Sequence, residues 1–144
     1  MPAIEYLMTE TSIYIKDLRI HAYHGVLEQE RRVGNDYVIN ITVGFPWTEA
    51  ALSDDVNDTL SYALLADVVA AEMAVPSNLI ETVARRICDA VKERFCLVSS
   101  VSIDIRKLSP PMPHHTDGCG VLMTVTYRAA SAPYAISDMP AGCR

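Results

Sequence analysis

The sequence predicts an α+β fold in which a four-stranded antiparallel sheet carries two helices on one face. Two observations lead to this prediction. Apolar residues alternate with polar ones in four segments, which is the period of a half-buried strand, and these segments lie in pairs on either side of the middle of the chain. Between the pairs, two segments repeat apolar residues at helical spacing. The order β-β-α-α-β-β is typical of helices layered on one side of an antiparallel sheet.

The first pair of strands is predicted at residues 12–25 and 36–45. In the first strand the apolar parity slips near Lys16 and Asp17, which indicates a β-bulge because a one-residue slip exchanges the two faces of a strand. The second strand has the most regular alternation in the chain, with Tyr37, Ile39, Ile41, Val43 and Phe45 on one face. The charged stretch LEQERR between the two strands is predicted to be a solvated loop.

Two helices are predicted in the middle of the chain, after a polar connection that ends in a short β-like stretch at residues 59–62. The first helix covers about 63–73, and Pro76 ends it because proline cannot continue a helix. The second helix begins at Ser77 or Asn78 and has an inner stripe of Ile80, Ala84, Ile87, Val91 and Phe95.

The last two strands are predicted at residues 100–108 and 119–128, and the prolines at 110, 111 and 113 force an extended loop between them. Residues 1–10 are expected to form a flexible leader and residues 129–144, which show no periodicity, a disordered tail. One domain of residues 11–128 remains. Because a lone four-stranded sheet leaves its edges uncovered, association of copies through those edges is expected.

Charge and composition exclude several classes of partner. The formal net charge of −6 argues against nucleic acid and anionic membranes, which both favour basic surfaces. The chain has no signal-peptide pattern and no apolar run of the roughly 20 residues that a membrane span needs. The four cysteines form no C-x-x-C pair and are expected to be free thiols. Together these features predict a cytoplasmic protein.

Three residues could carry chemistry, and each also has a purely structural interpretation. Lys107 continues the apolar parity of its strand, so it is either a partly desolvated proton-transfer group or a lysine whose stem packs and whose ammonium reaches solvent. Glu81 lies three residues after Asn78, which fits a capping box or a carboxylate that faces a ligand. Tyr62 is either a packing aromatic or a phenol directed into a cleft.

No metal site and no nucleotide site is predicted. His21 and His24 are three residues apart on a predicted strand, so they point to opposite faces and cannot easily share a metal ion. The sequence contains no P-loop, no G-x-G-x-x-G and no G-x-S-x-G motif.

Four segments in this order resemble those of the dihydroneopterin aldolases of folate biosynthesis: YHGVLEQERRVGNDYVINI, NDTLSY, SNLIETVARRI and IRKLSPPMPHHTDG. The resemblance covers about residues 12–128. It implies the tunnelling fold, in which four subunits join their sheets into a barrel, and either this tetramer ring or an octamer of two stacked rings. The active sites of such a homo-oligomer lie at subunit interfaces.

The resemblance also assigns roles to individual residues. It implies that Lys107 is the general acid/base and that Tyr62 reaches the site from a neighbouring subunit, where it takes part in catalysis and binding. Glu30 contacts the substrate, Ile80 offers main-chain contacts, and the Glu81 carboxylate binds the amino and ring N–H groups of a pterin. The implied reaction cleaves 7,8-dihydroneopterin into 6-hydroxymethyl-7,8-dihydropterin and glycolaldehyde, with 2′-epimerisation to dihydromonapterin as a side reaction. It uses no cofactor, because the pterin imine itself accepts the electrons.

Two alternatives remain open at this point. A related enzyme, dihydroneopterin triphosphate 2′-epimerase, shares the fold, and Arg31, Arg32 and Arg106 could meet its phosphates. A non-catalytic pterin- or purine-binding module on the same fold is the second alternative. The His24-Gly25 pair and the intact P-P-x-P loop favour the aldolase, although Asn35-Asp36 and Leu108-Ser109 depart from the usual family pattern.

Overall fold

Four strands form one antiparallel sheet in the order β1-β2-β3-β4. The structure is a computed structural model that describes residues 3–5, 10–46 and 50–128. The strands are β1 Glu10–Ala22, β2 Asn35–Pro46, β3 Ser100–Lys107 and β4 Cys119–Thr126. The helices are α1 Glu28–Val33, α2 Ala50–Ser53, α3 Tyr62–Met73 and α4 Ile80–Arg94.

The two long helices, α3 and α4, cover one face of this sheet. Helix α3 packs on β1, and α4 packs on β3 and β4. The alternating apolar residues of β2 and β3 are buried beneath them, together with Leu65, Val69 and Met73 of α3 and Ala84, Ile87 and Val91 of α4. The predicted α+β class, strand order and pair of covering helices are therefore confirmed.

The predicted bulge in the first strand is also confirmed. The pairing of β1 with β2 shifts between Ile15 and Leu18, and Asp17 adopts a positive φ of 54°. Asn40 on β2 closes this irregularity, because its Oδ1 accepts the Asp17 N–H at 2.9 Å and its Nδ2 donates to Asp17 Oδ1 at 3.3 Å. The bulge keeps the apolar side chains on both sides of it on the core face.

The β-like stretch predicted before the first helix is wrong. A 3₁₀ turn forms at Val56–Asp58 instead, capped by Asp55, whose Oδ1 accepts the Asn57 N–H at 3.0 Å. Ser61 then caps α3 by accepting the Leu64 N–H at 3.3 Å. Tyr62 is thereby the first residue of a helix and not the last of a strand, because two side-chain caps outcompete a short alternation.

The start of α4 also differs from its prediction. The helix begins at Ile80, and its N-cap is Leu79, whose side chain forms no capping hydrogen bond. The carboxamide of Asn78 accepts a hydrogen bond from the Arg31 guanidinium. A capping box from Asn78 to Glu81 is therefore wrong, since the capping group is engaged by another part of the chain.

The stretch predicted as a charged loop contains a helix. Helix α1 occupies Glu28–Val33, with acidic residues in its first turn and arginines in its last turn, which matches the helix dipole. It has no buried residue, so its apolar pattern gave no helical signal. Its position matters for the site described below.

The remaining predictions concern the ends of the chain and its location. Residues 1–2, 6–9 and 129–144 lie outside the described residues, and Glu10 belongs to β1, so the domain bounds of 11–128 stay a prediction. Among the described helices, none has the length and apolar character to cross a bilayer. Cys88 and Cys119 are free, whereas Cys96 is disulfide-bonded, so the expectation of free thiols is wrong for Cys96. The cytoplasmic location stays a prediction from the sequence.

Candidate active site

A buried ion pair between Lys107 and Glu30 forms the centre of the candidate site. Lys107 is the last residue of β3, and it faces the core because it continues the parity of Val101, Ile103 and Ile105. Its Nζ lies 2.5 Å from Glu30 Oε2, and the two side chains are only 10% and 13% exposed. A pair so far from water keeps a proton donor and a proton acceptor in direct contact.

Glu30 reaches this position because the chain turns sharply at Gly25, just before α1. Gly25 has a φ of +156°, and a Cβ placed on it would lie 2.5 Å from both Cβ and Cδ of Glu30. Only glycine leaves the space that the glutamate occupies. The other carboxylate oxygen, Oε1, accepts the Leu27 N–H at 3.4 Å, which holds the carboxylate back over the start of the helix.

His21 holds the other end of α1 against the sheet. Its Nε2 lies 3.1 Å from the carbonyl oxygen of Val33, and its Nδ1 lies 2.8 Å from Asp36 Oδ1. The hydrogen bond to Asp36 and then the one to Val33 raise the pKa of His21, because a doubly protonated ring can donate to both acceptors. The helix that carries Glu30 is therefore fixed at both ends.

Tyr37 and the main chain of His24 form the floor beneath the lysine. The Lys107 Nζ and the Tyr37 hydroxyl both donate to the His24 carbonyl oxygen, at 3.5 Å and 3.3 Å, and Nζ lies 5.9 Å from the centre of the Tyr37 ring. Burial, followed by the charge of Glu30, raises the pKa of Tyr37 to about 12. The phenol therefore stays protonated and acts as a donor.

The imidazole of His24 is almost completely buried, at 1% exposure. Its Nδ1 accepts the Ser77 N–H at 3.2 Å, which places the ring proton on Nε2. Burial, followed by the positive charges of Arg86 and Lys107, lowers the pKa of His24 to about 4. The ring is neutral at neutral pH.

Ile80 and Glu81 lie in the first turn of α4. The loop before this turn is joined by the Arg31 side chain to α1, the helix that carries Glu30. Arg31 donates from Nε to the Gly25 carbonyl at 3.1 Å and from its terminal nitrogen to Asn78. Glu81 is exposed and Ile80 is half-buried. A carboxylate presented to solvent from a helix start can bind paired N–H donors of a planar ligand.

Among the described residues, Tyr62 makes no hydrogen bond to either member of the ion pair. It is 70% exposed and begins α3, whereas the loop that meets His24 follows the other end of that helix. Met73 lies eleven positions after Tyr62 in the helix, which corresponds to about 16 Å along the axis. The fold thus brings Glu30 and Lys107 together, connects them to Ile80 and Glu81, and leaves Tyr62 on another part of the surface.

Sequence reasoning missed three contributors, namely Tyr37, His24 and Ser77. Tyr37 could have been found, because it lies directly opposite Lys107 in the register of β2 and β3 and shares its apolar parity. Ser77 gave no signal, since its contribution is main-chain hydrogen bonding to residues more than fifty positions away.

Two further sequence expectations concern phosphate and metal. Arg31 is committed to Gly25 and Asn78, and Arg106 donates to the Asp117 carbonyl at 2.7 Å, so both guanidiniums have intramolecular acceptors. Within the described residues, no cluster of three or more His, Cys, Asp or Glu side chains is arranged to bind a metal ion.

Known proteins are similar to this chain in both sequence and fold. The family model for dihydroneopterin aldolase (FolB) matches residues 13–124. The dihydroneopterin aldolase of Staphylococcus epidermidis is 36% identical over 110 residues, which cover 76% of this chain and 91% of that protein. The corresponding enzyme of Bacillus subtilis is 29% identical over 116 residues, covering 78% and 94% of the two chains.

Among solved structures, the atomic-resolution crystal structure of the E. coli dihydroneopterin aldolase in complex with neopterin superposes with a TM-score of 0.70. It is 28% identical, and the match covers 80% of this chain and 98% of that one. The match covers almost the whole of each relative, and in this chain it contains both the Lys107–Glu30 pair and the start of α4.

Proposed function

This chain belongs to the dihydroneopterin aldolase family, and from that premise we propose that Lys107 and Glu30 form the proton-transfer centre of its reaction. The chain is a dihydroneopterin aldolase, an enzyme of folate biosynthesis that acts on a pterin. The observation that carries the proposal is the 2.5 Å contact between Lys107 Nζ and Glu30 Oε2 in the interior of the chain. No other lysine of the described residues is paired with a carboxylate in this way.

The reaction needs one proton to move twice. A base removes the proton from the 2′-hydroxyl of 7,8-dihydroneopterin, and the bond between C1′ and C2′ breaks to release glycolaldehyde. The electron pair of that bond passes into the C6=N5 imine of the pterin, and a proton then adds to C1′ to give 6-hydroxymethyl-7,8-dihydropterin. Within the pair a proton passes from the Lys107 ammonium to Glu30, so that the Lys107 amine can take the proton of the 2′-hydroxyl and then return it to C1′. General acid–base work of this kind contributes ~10²–10⁴-fold.

Glu81 and the main chain of Ile80 bind the pterin ring in this proposal. The Glu81 carboxylate meets the exocyclic amino group and a neighbouring ring N–H as two parallel donors, a charge-assisted arrangement that is strong and directional. Support comes from its exposed position in the first turn of α4, which leaves both oxygens accessible to a ligand.

Tyr62 completes the site from a neighbouring copy. It is exposed and makes no hydrogen bond to Lys107 among the described residues of its own chain, while β1 and β4 are the two edge strands of the described sheet. Pairing of these edges between copies joins the sheets into a barrel as a tetramer ring or a stacked octamer, with sites at the subunit interfaces. Release and rebinding of glycolaldehyde in the rotated orientation gives the 2′-epimer, dihydromonapterin.

Product analysis tests the proposal. The protein is incubated separately with 7,8-dihydroneopterin and with its triphosphate, with and without a metal chelator, and the pterin products and glycolaldehyde are quantified. We expect glycolaldehyde and 6-hydroxymethyl-7,8-dihydropterin in equal amounts from the free substrate, unchanged by the chelator. Epimerisation of the triphosphate alone would favour the epimerase, and binding without any product would favour a non-catalytic module.

A further inference from the structure

Two loops from distant parts of the chain meet beside the ion pair. One loop comprises residues 23–27 and leads into α1, and the other comprises residues 74–79 and leads into α4. Ser77 connects them with both of its main-chain polar groups, because its carbonyl accepts the Gly25 N–H at 2.9 Å and its N–H donates to His24 Nδ1 at 3.2 Å. The Arg31 side chain adds a second connection, from the Gly25 carbonyl to Asn78.

Arg86 holds the second loop in its conformation from below. Its guanidinium donates to the Glu72 carboxylate at 3.2 Å, to the Glu72 carbonyl at 2.7 Å, to the Val75 carbonyl at 3.0 Å and to the Ser77 hydroxyl. Four acceptors around one planar cation leave the loop little freedom to change shape. The Arg86 side chain therefore helps to define the position of Ser77. It also helps to define where α4 starts, three residues later.

His24 is the point at which these contacts reach the catalytic pair. Its ring accepts from Ser77, and its own carbonyl oxygen is the acceptor for both Lys107 and Tyr37. We infer that His24 is a positioning residue that couples the helix start carrying Ile80 and Glu81 to the Lys107–Glu30 pair. This inference depends on the roles proposed above for those four residues.

The coupling follows from rigid contacts. Because His24 is 1% exposed, its ring cannot touch a pterin without rearrangement of the fold. A ring that keeps Ser77 in place also keeps the first turn of α4 at a fixed distance from Lys107. Loss of the Nδ1 acceptor leaves the buried Ser77 N–H unpaired, so the loop moves. The first turn of α4 and Lys107 are then no longer held at a fixed distance from each other.

Two substitutions at this position separate the acceptor from the bulk of the side chain. In His24→Asn the Oδ1 atom lies close to the position of Nδ1 and retains an acceptor for Ser77. In His24→Leu the volume is retained and the acceptor is lost. The dissociation constant for the product 6-hydroxymethyl-7,8-dihydropterin and kcat per folded molecule are measured for both variants, with thermal unfolding as the check on folding.

We expect His24→Asn to stay within about 3-fold of the native protein in both parameters. We expect His24→Leu to bind product about 5- to 10-fold more weakly, which corresponds to one lost hydrogen bond, and to lose about 10-fold in kcat. Equal parameters for the two variants, or a lower Tm in His24→Leu with normal binding and kcat, would overturn the inference. In either case the native protein would still cleave dihydroneopterin, so the proposed function is tested separately.

A second measurement does not depend on the variants folding. Nitrogen-15 NMR of the native protein identifies the protonated ring nitrogen of each histidine. We expect His24 to be the neutral Nε2–H tautomer at pH 7, because Nδ1 accepts from Ser77. The Nδ1–H tautomer would exclude the proposed contact. Arg86→Lys, which keeps the charge but cannot reach four acceptors, is expected to weaken product binding in the same direction as His24→Leu.

Discussion

The two halves of the site differ in how they are built. The half proposed for proton transfer, Lys107 with Glu30, is almost wholly removed from solvent within one chain, and each of its charged atoms faces a partner. The binding half, Glu81 and Tyr62, stands exposed in the first turns of α4 and α3. In the proposed mechanism, the groups that move a proton are organised before substrate arrives, whereas the groups that recognise the pterin find their partners only on binding.

Physical chemistry requires this difference. A lysine and a glutamate taken out of water must face each other and further donors and acceptors, because an isolated buried charge costs several kcal/mol. A carboxylate that is to receive donors from a ligand must instead remain accessible until binding. The buried half therefore shows its partners in the structure of one chain, and the exposed half does not.

The largest expected effect is in the buried half. Lys107→Ala should lower kcat by ~10²–10⁴-fold, because the proton-transfer group is removed, while product binding through Glu81 persists. Steady-state kinetics and equilibrium binding of product measure the two effects, and Lys16→Ala, a change at an exposed lysine of the bulge in β1, is the matched control. Both Lys107→Ala and Lys107→Met leave Glu30 without its partner, but Lys107→Met keeps the bulk of the side chain, so comparing the stability of the two variants separates the loss of the ion pair from the loss of packing. Full activity in both variants would contradict the assigned role.

The next effect is in the exposed half. Glu81→Ala should weaken product binding by roughly 10- to 100-fold, the cost of a charge-assisted pair of hydrogen bonds, and should reduce kcat less than it raises KM. Glu93→Ala, an exposed glutamate near the other end of the same helix, controls for changes in α4 itself. Binding that is equally strong in Glu81→Ala and Glu93→Ala would place pterin recognition elsewhere.

A mixing experiment tests whether Tyr62 completes the site of a different copy. Lys107→Ala and Tyr62→Ala chains are co-expressed, or unfolded and refolded together, and compared with each variant treated alone. If Tyr62 acts on a neighbour's Lys107, random mixing restores about a quarter of the sites, because some interfaces join two native residues. If both residues served the same site from one chain, mixing would restore no activity.

The last effect is on stability and not on activity, and it concerns the histidine next to the buried half. The pKa of His24 is lowered to about 4, so between pH 6.5 and about 4 the unfolded state binds a proton that the folded state does not. Stability should therefore fall as the pH drops through this window, by up to about 3 kcal/mol. Urea unfolding of the native protein and of His24→Asn at pH 7 and pH 4.5 measures it. An equal loss in both proteins would show that other groups cause it.

The sequence was a good guide to whatever repeats along the chain. The spacing of apolar residues encodes the core faces of β2 and β3, the inner residues of α3 and α4, and the bulge at Asp17. It does so because burial acts on each residue of a periodic element in the same way. The position of Lys107 at the end of an apolar face followed from the same parity. Element ends were less predictable, since they depend on caps, and the cap expected from Asn78 is used by Arg31.

What the sequence determined by itself was the α+β class and the core faces, and its resemblance to a known family supplied the proposed roles of Lys107, Glu30 and Glu81. Only the tertiary structure decided which residues from distant parts of the chain come into contact. Glu30 lies in a six-residue helix without a buried apolar residue, and its contact with Lys107 spans 77 positions. The Ser77 main chain is also bonded to distant residues, because its N–H donates to the His24 ring and its carbonyl accepts the Gly25 N–H. Periodicity records burial, residue by residue, whereas a hydrogen bond between distant segments depends on the shape of everything that packs between them.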